Sequence, residues 1–182
     1  MATARDFQKC ALVIGILSTS ENRREQIISM LETDFGPIEA QSPVMDFPYT
    51  DYYDSEMGSR PVRYLILMKN LVDPSTLADI KTRTNELEKL FSDENGNRKL
   101  NLDPGILSLS NFILATCKDR SHRIPLKDGI YAETTLIYQD HGFQTLPWTY
   151  ADYRTPAFHE IFKEMRTLLK KKFKAAQSQG ES

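Results

Sequence analysis

The chain is poor in the residues that build covalently stapled or metal-centred folds. Its two cysteines, Cys10 and Cys117, are too few for a disulfide framework or a four-cysteine zinc site. Three histidines, His122, His141 and His159, argue against a histidine-rich transition-metal centre. Among its eight glycines no phosphate-loop spacing occurs, and Gly15 stands alone, without the spaced glycines of a dinucleotide fingerprint. There is no His-Glu-x-x-His helix, Gly-x-Ser-x-Gly elbow or paired Cys-x-x-Cys. Neither sign of charge dominates: 23 basic against 25 acidic residues leave a net charge of −2, which disfavours general nucleic-acid binding but permits a local basic patch. The apolar run Cys10–Leu17 follows Arg5 and Lys9, but Ser18 to Arg24 supplies no small-residue cleavage pattern, so it reads as a buried strand. No run approaches the roughly 18 apolar residues that would cross a bilayer. These absences predict a reduced, cytoplasmic protein without a membrane segment.

What is present is the material of one α+β domain. A chain of 182 residues buries roughly 70% of its unfolded surface and needs no staple. Cys10 to Leu17 has the unalternating apolar character of a central strand. Ile27, Ile28, Leu31 and Phe35 recur at helical spacing, and Gly36-Pro37 stops that helix. An extended segment begins near Ile38, and Val62 to Met68 is a second apolar strand. Asp73-Pro74 opens a helix with Leu77, Ile80, Thr84, Leu87 and Phe91 facing inward. A second Asp-Pro, at Asp103-Pro104, predicts another helix cap and a short helix over 106–116, although Phe112 to Thr116 also suits a strand. His122 to Leu126, Ile130 to Tyr138 and Gly142 to Leu146 read as a β-meander. Thr155-Pro156 begins a closing amphipathic helix. The order predicts a ferredoxin-like β-α-β-β-α core with an added meander and C-terminal helix. It occupies 1–174 as a single domain, with 175–182 a loose polar tail.

The words Phe47-Pro-Tyr-Thr-Asp-Tyr-Tyr-Asp-Ser-Glu-Met-Gly58, Thr84-Asn-Glu-Leu-Glu88, Asn101-Leu-Asp-Pro-Gly105, Ser121-His-Arg-Ile124, Gly129-Ile-Tyr-Ala-Glu133 and Leu146-Pro-Trp-Thr-Tyr150 run through nearly the whole chain. In these the sequence resembles the prokaryotic domain-of-unknown-function family 4416, marked by an Asp-Tyr-Tyr motif. The resemblance implies a single-domain protein of about this length with no established activity, some relatives carrying a GTP-binding label.

Three groups carry the candidate chemistry. Asp51, Tyr52, Tyr53 and Glu56 form an acidic and aromatic segment suited to a hard cation such as Mg²⁺, or simply to a solvated turn. Lys118, His122 and Arg123 form a cationic cluster complementary to phosphate, with His122 able to move a proton near neutral pH. Tyr131 and Glu133 share a strand face with Thr135 and Ile137, so that Glu133 serves as general base or ligand, or pairs with Arg123 across the hairpin. Lys81, Arg83, Asn85 and Glu86 read as a helix's wet face, Trp148 as a core plug, and Lys170 to Lys174 as helix-terminal charge. The function expected from these groups is binding or turnover of a phosphorylated small molecule or nucleotide, with His122 and Glu133 as the catalytic pair. The alternative is a noncatalytic protein-binding module or accessory subunit that uses Tyr49, Tyr52 and Tyr53 as its partner surface.

Overall fold

The computed structural model describes residues 3–19, 23–48 and 61–180. At its centre lies β1 (Cys10–Ser18), buried along its whole length. It pairs antiparallel with β4 (Val62–Val72) on one side and β5 (Leu100–Leu107) on the other. Outside β4 lie β2 (Ile38–Gln41) and the short β3 (Met45–Asp46). Outside β5 come β6 (Asn111–Thr116) and β8 (Tyr131–Gln139), which β7 (Ile124–Pro125) and β9 (Gly142–Thr145) flank. The described strands make one nine-stranded sheet of order β2-β4-β1-β5-β6-β8-β7, with β3 on β4 and β9 on β8. Helix α1 (Arg24–Phe35) links β1 to β2, and α2 (Leu77–Lys89) links β4 to β5. The half β2-β4-β1-β5 therefore has the strand order of a ferredoxin-like core, and the fold is α+β.

Alternation along the strands divides the interior in two. Leu12, Ile14 and Ile16 of β1 face Ile27 and Leu31 of α1 and Ile80 and Leu87 of α2. Ala11 and Val13 face the other way, toward Phe158, Phe162, Met165 and Leu169 of α3 (Pro156–Gly180). Helix α3 continues through the stretch 175–180 that polarity alone reads as a tail. Asp73 caps the turn ahead of α2 as expected, its Oδ1 accepting the Ser75 N–H at 2.8 Å. The meander turns also follow their local chemistry: Asp140 and His141 both take positive φ, 51° and 64°, in the two-residue loop of the β8–β9 hairpin. No helix among the described residues is long and apolar enough to cross a membrane.

Two expectations are corrected. Residues 106–116 form no helix: they are the end of β5, a tight turn and β6. Ser108 builds that turn, its Oγ accepting the N–H groups of Ser110 and Asn111 at 3.0 Å each. Asp103 is accordingly a strand residue opposite Gly15 and caps nothing. The regular alternation of β8 is also broken. Phe112 stands opposite Leu136 but Ile113 opposite Thr134, so Thr135 is the extra residue of a bulge. Leu136, rather than Thr135, then continues the face of Glu133 beneath α3.

Candidate functional site

A fork in the sheet creates the site. Antiparallel strands exchange both main-chain bonds at every second residue pair. In the β5–β6 hairpin Ser108 donates its main-chain N–H to the Asn111 carbonyl at 2.9 Å, and Ile106 stands opposite Ile113 two residues on. The next such pair would be Pro104 with Ala115, but proline has no N–H to give. The register ends at Gly105 opposite Leu114, and the strands part. Proline is tolerated here because its nitrogen faces the side where pairing stops. One step further, Leu102 would be an orphan. Its N–H is taken instead by Glu88 Oε1 at 2.7 Å, and its carbonyl accepts from Lys81 Nζ at 2.7 Å. Lys81, Asn85 and Glu88 lie one and two turns apart on α2, so a single helix face enters the fork. A cavity of about 400 Å³ occupies the opening, lined by these three residues and by Arg63, Asp103, Glu133, Asp152 and Tyr153 among others.

The floor is a buried charge network. Arg63, 4% exposed, donates from Nη1 to Asp103 at 2.9 Å and from Nη2 to the Tyr153 hydroxyl at 2.9 Å, and its Nε lies 3.3 Å from Asp152. Burial acts against this guanidinium, but Tyr153, Asp103 and Asp152 outweigh it and raise its pKa. Burial also pushes Asp103 upward, yet Arg63 and Lys81 prevail and hold it below its ordinary range. At Asp152 burial wins over Arg63, and at Glu88 it wins over Lys81, so both carboxyls are raised. Burial raises the Tyr153 phenol as well, against the pull of Arg63. Gly15 makes the network fit: a Cβ there would lie 2.8 Å from Arg63 Nη2 and 3.2 Å from the Tyr153 oxygen.

The wall is organised around Glu133, which is 1% exposed. Its Oε2 accepts from Arg123 Nε at 2.7 Å and sits 3.0 Å from His122 Nε2. Arg123 also donates to the Lys118 carbonyl at 2.7 Å and to the Tyr150 hydroxyl at 2.8 Å, tying the loop after β6 to the loop after β9. Burial raises the Tyr150 phenol, against the pull of Arg123. The His122 ring stacks on Trp148 at 4.7 Å with planes 10° apart, and Trp148 Nε1 donates to the Thr134 carbonyl at 2.8 Å. Glu133 Oε1 is buried without a hydrogen-bond partner. Lys118, Arg98, Asn101, Thr116, Cys117 and Tyr150 add to the polar lining, while Leu17, Phe47 and Leu114 give it an apolar side.

Of the residues expected from sequence, Lys118 and Glu133 line the cavity, and His122 and Arg123 hold Glu133 from behind. Tyr131 stands opposite Thr116 and Pro125, and the cavity wall does not include it. Asp51, Tyr52, Tyr53 and Glu56 lie outside the described residues, as does Tyr49. The expectation of Mg²⁺ at Asp51 and Glu56 falls there too. Among the described residues no group of three His, Cys, Asp or Glu side chains is placed to hold a metal ion. Lys81 is corrected from wet face to buried fork residue, 5% exposed, whereas Arg83 and Glu86 do pair on the surface. Trp148 is corrected from core plug to an exposed stacking partner, 37% exposed. In the lysine run, Lys172 bonds to Glu39 and to the Lys69 carbonyl. Arg63, Asp152 and Tyr153 were not anticipated. The available signals were one arginine inside the apolar run Val62–Met68 and one glycine inside Cys10–Leu17.

The fold and site together define a single-domain α+β protein whose antiparallel sheet opens onto a charged cavity. The chain belongs to the family described as Domain of unknown function (DUF4416), which matches residues 8–168. No curated protein and no solved structure matches it.

Proposed function

We propose that this protein binds, and acts on, a phosphorylated small molecule or nucleotide in the cavity at the β5–β6 fork. The observation that carries the reading is the meeting of an unpartnered, buried Glu133 oxygen with Lys118 and Arg98 around one hollow. A volume of about 400 Å³ lies within the range of small-molecule sites. Lys118 and Arg98 supply the positive charge for an anionic group. Glu133 accepts a hydrogen bond or a proton from the bound molecule, and His122, in contact with its other oxygen, passes a proton onward to solvent. Arg123 acts through Glu133 by fixing the carboxylate plane, and is a positioning residue.

Thermal-shift screening against nucleotides, sugar phosphates and inorganic phosphate tests the reading, because a ligand selective for the folded state raises its melting temperature. A phosphorylated compound at about 100 times its Kd stabilises the fold by roughly 2.7 kcal/mol. Lys118→Ala should weaken that shift. Absence of a shift with every phosphorylated compound at millimolar concentration would remove the proposal.

A further inference from the structure

The half-used carboxylate of Glu133 says what the ligand must carry besides its anion. One oxygen is saturated by Arg123 and His122; the other is buried and has no donor, on a residue that lines the cavity. A buried acceptor left unmade is costly, so its partner comes from whatever fills the hollow. That partner is a neutral group. Glu133 is already balanced by the Arg123 guanidinium at 2.7 Å. The remaining acids at the floor are engaged, Asp103 and Asp152 with Arg63 and Glu88 with Lys81 and, at 3.5 Å, with Arg98. A metal ion or an ammonium group entering here would therefore meet compensated carboxylates beside Lys118 and Arg98. A hydroxyl meets no such penalty and forms a charge-assisted bond.

We propose that the site is specific for a hydroxylated phosphate ester, one of whose hydroxyls donates to Glu133 Oε1 while its phosphate lies toward Lys118 and Arg98. This rests on the phosphate reading above and adds the second recognition point. The hydroxyl belongs either to a free sugar phosphate or to the ribose of a nucleotide; the chemistry at Glu133 is the same in both.

Isothermal titration of the full chain with ribose 5-phosphate, adenosine 5′-monophosphate, propyl phosphate and inorganic phosphate separates the possibilities. A hydrogen bond to a charged acceptor predicts that at least one of the two hydroxylated esters binds roughly tenfold or more tighter than propyl phosphate. If ribose 5-phosphate binds tighter than the nucleotide, the source is a free sugar phosphate; the reverse order assigns it to a nucleotide. Glu133→Gln should collapse the gap over propyl phosphate while inorganic phosphate still binds. Equal binding of propyl phosphate and both hydroxylated esters, or a gap that survives Glu133→Gln, overturns the hydroxyl assignment while the anion site stands. Failure of all four compounds to bind takes down the phosphate reading itself. Should Glu133→Gln not fold, equal binding of propyl phosphate and both hydroxylated esters on the unaltered chain still overturns the hydroxyl assignment.

Discussion

Each nitrogen of the Arg123 guanidinium donates to a different partner: a carboxylate, a carbonyl and a phenol. Removing it leaves Glu133 buried without its counter-charge, which costs about 3 kcal/mol where such pairs are broken from one side. Arg123→Ala should lower the urea unfolding free energy by that order, and Arg123→Lys should recover only part, because an ammonium cannot reproduce the planar three-way fork. At Gly15 the limit is space. Gly15→Ala places a methyl 2.8 Å from Arg63 Nη2 and should cost about 1–3 kcal/mol, read as a drop of roughly 2–12 °C in melting temperature. A third residue governs acid behaviour. Hydrogen bonds from the Asn97 and Asn95 main chain, the Asn97 side chain and Lys99 hold Asp93 down to about 2. A depressed carboxyl contributes stability that is complete above its unfolded value and lost as pH falls through the folded one. In Asp93→Asn, urea midpoints measured between pH 4 and pH 2 should therefore fall less steeply than in the unaltered chain.

Among the elements, those set by local chemistry were legible in the sequence. Asp73-Pro74 has its cap within two residues, and Asp140-His141 carries its own turn conformation, so both could be placed without knowing the rest of the fold. Even the Glu133–Arg123 pair was within reach, because a hairpin confines its partners. Asp103-Pro104 carries the same cap signal as Asp73-Pro74, but pairing with β1, nearly ninety residues earlier, overrides it. The floor of the cavity was illegible for the same reason: Gly15, Arg63 and Asp103 meet only through strand register, and Tyr153 reaches them from the turn Asp152–Arg154. Pro104 offers a test at this scale. Pro104→Ala restores the missing N–H, and hydrogen exchange should find the new amide protected if it closes onto Ala115. The fork then narrows, and phosphate-ester affinity should fall with it. An unprotected amide would show that Lys81 and Glu88 alone hold the strands apart.

At the scale of the whole molecule, α3 seals the face of the sheet on which Arg63, Asp103 and Glu133 stand. Phe162 is fully buried and meets Phe112 at 4.5 Å and Tyr153 at 5.8 Å, so the aromatic core of that helix abuts the residue that grips Arg63. Phe162→Ala should cost about 3–5 kcal/mol and, for a chain of this size, lower the melting temperature by roughly 6–20 °C. The opposite face, where Ile27, Leu31, Ile80 and Leu87 pack on Leu12, Ile14 and Ile16, has no direct part in the cavity floor. Its role there is indirect: it seats α2 so that Lys81, Asn85 and Glu88 reach through the gap between the strands.

The parallel contact of Trp148 with His122 has a practical consequence. The chain holds one tryptophan, and it rests against the imidazole that touches Glu133. An indole's emission responds to whatever its ring is stacked upon, so the intrinsic fluorescence of the unlabelled protein becomes a local probe of this corner. Filling the hollow should change that light through Glu133 and the imidazole, and replacing His122 with alanine should silence the response.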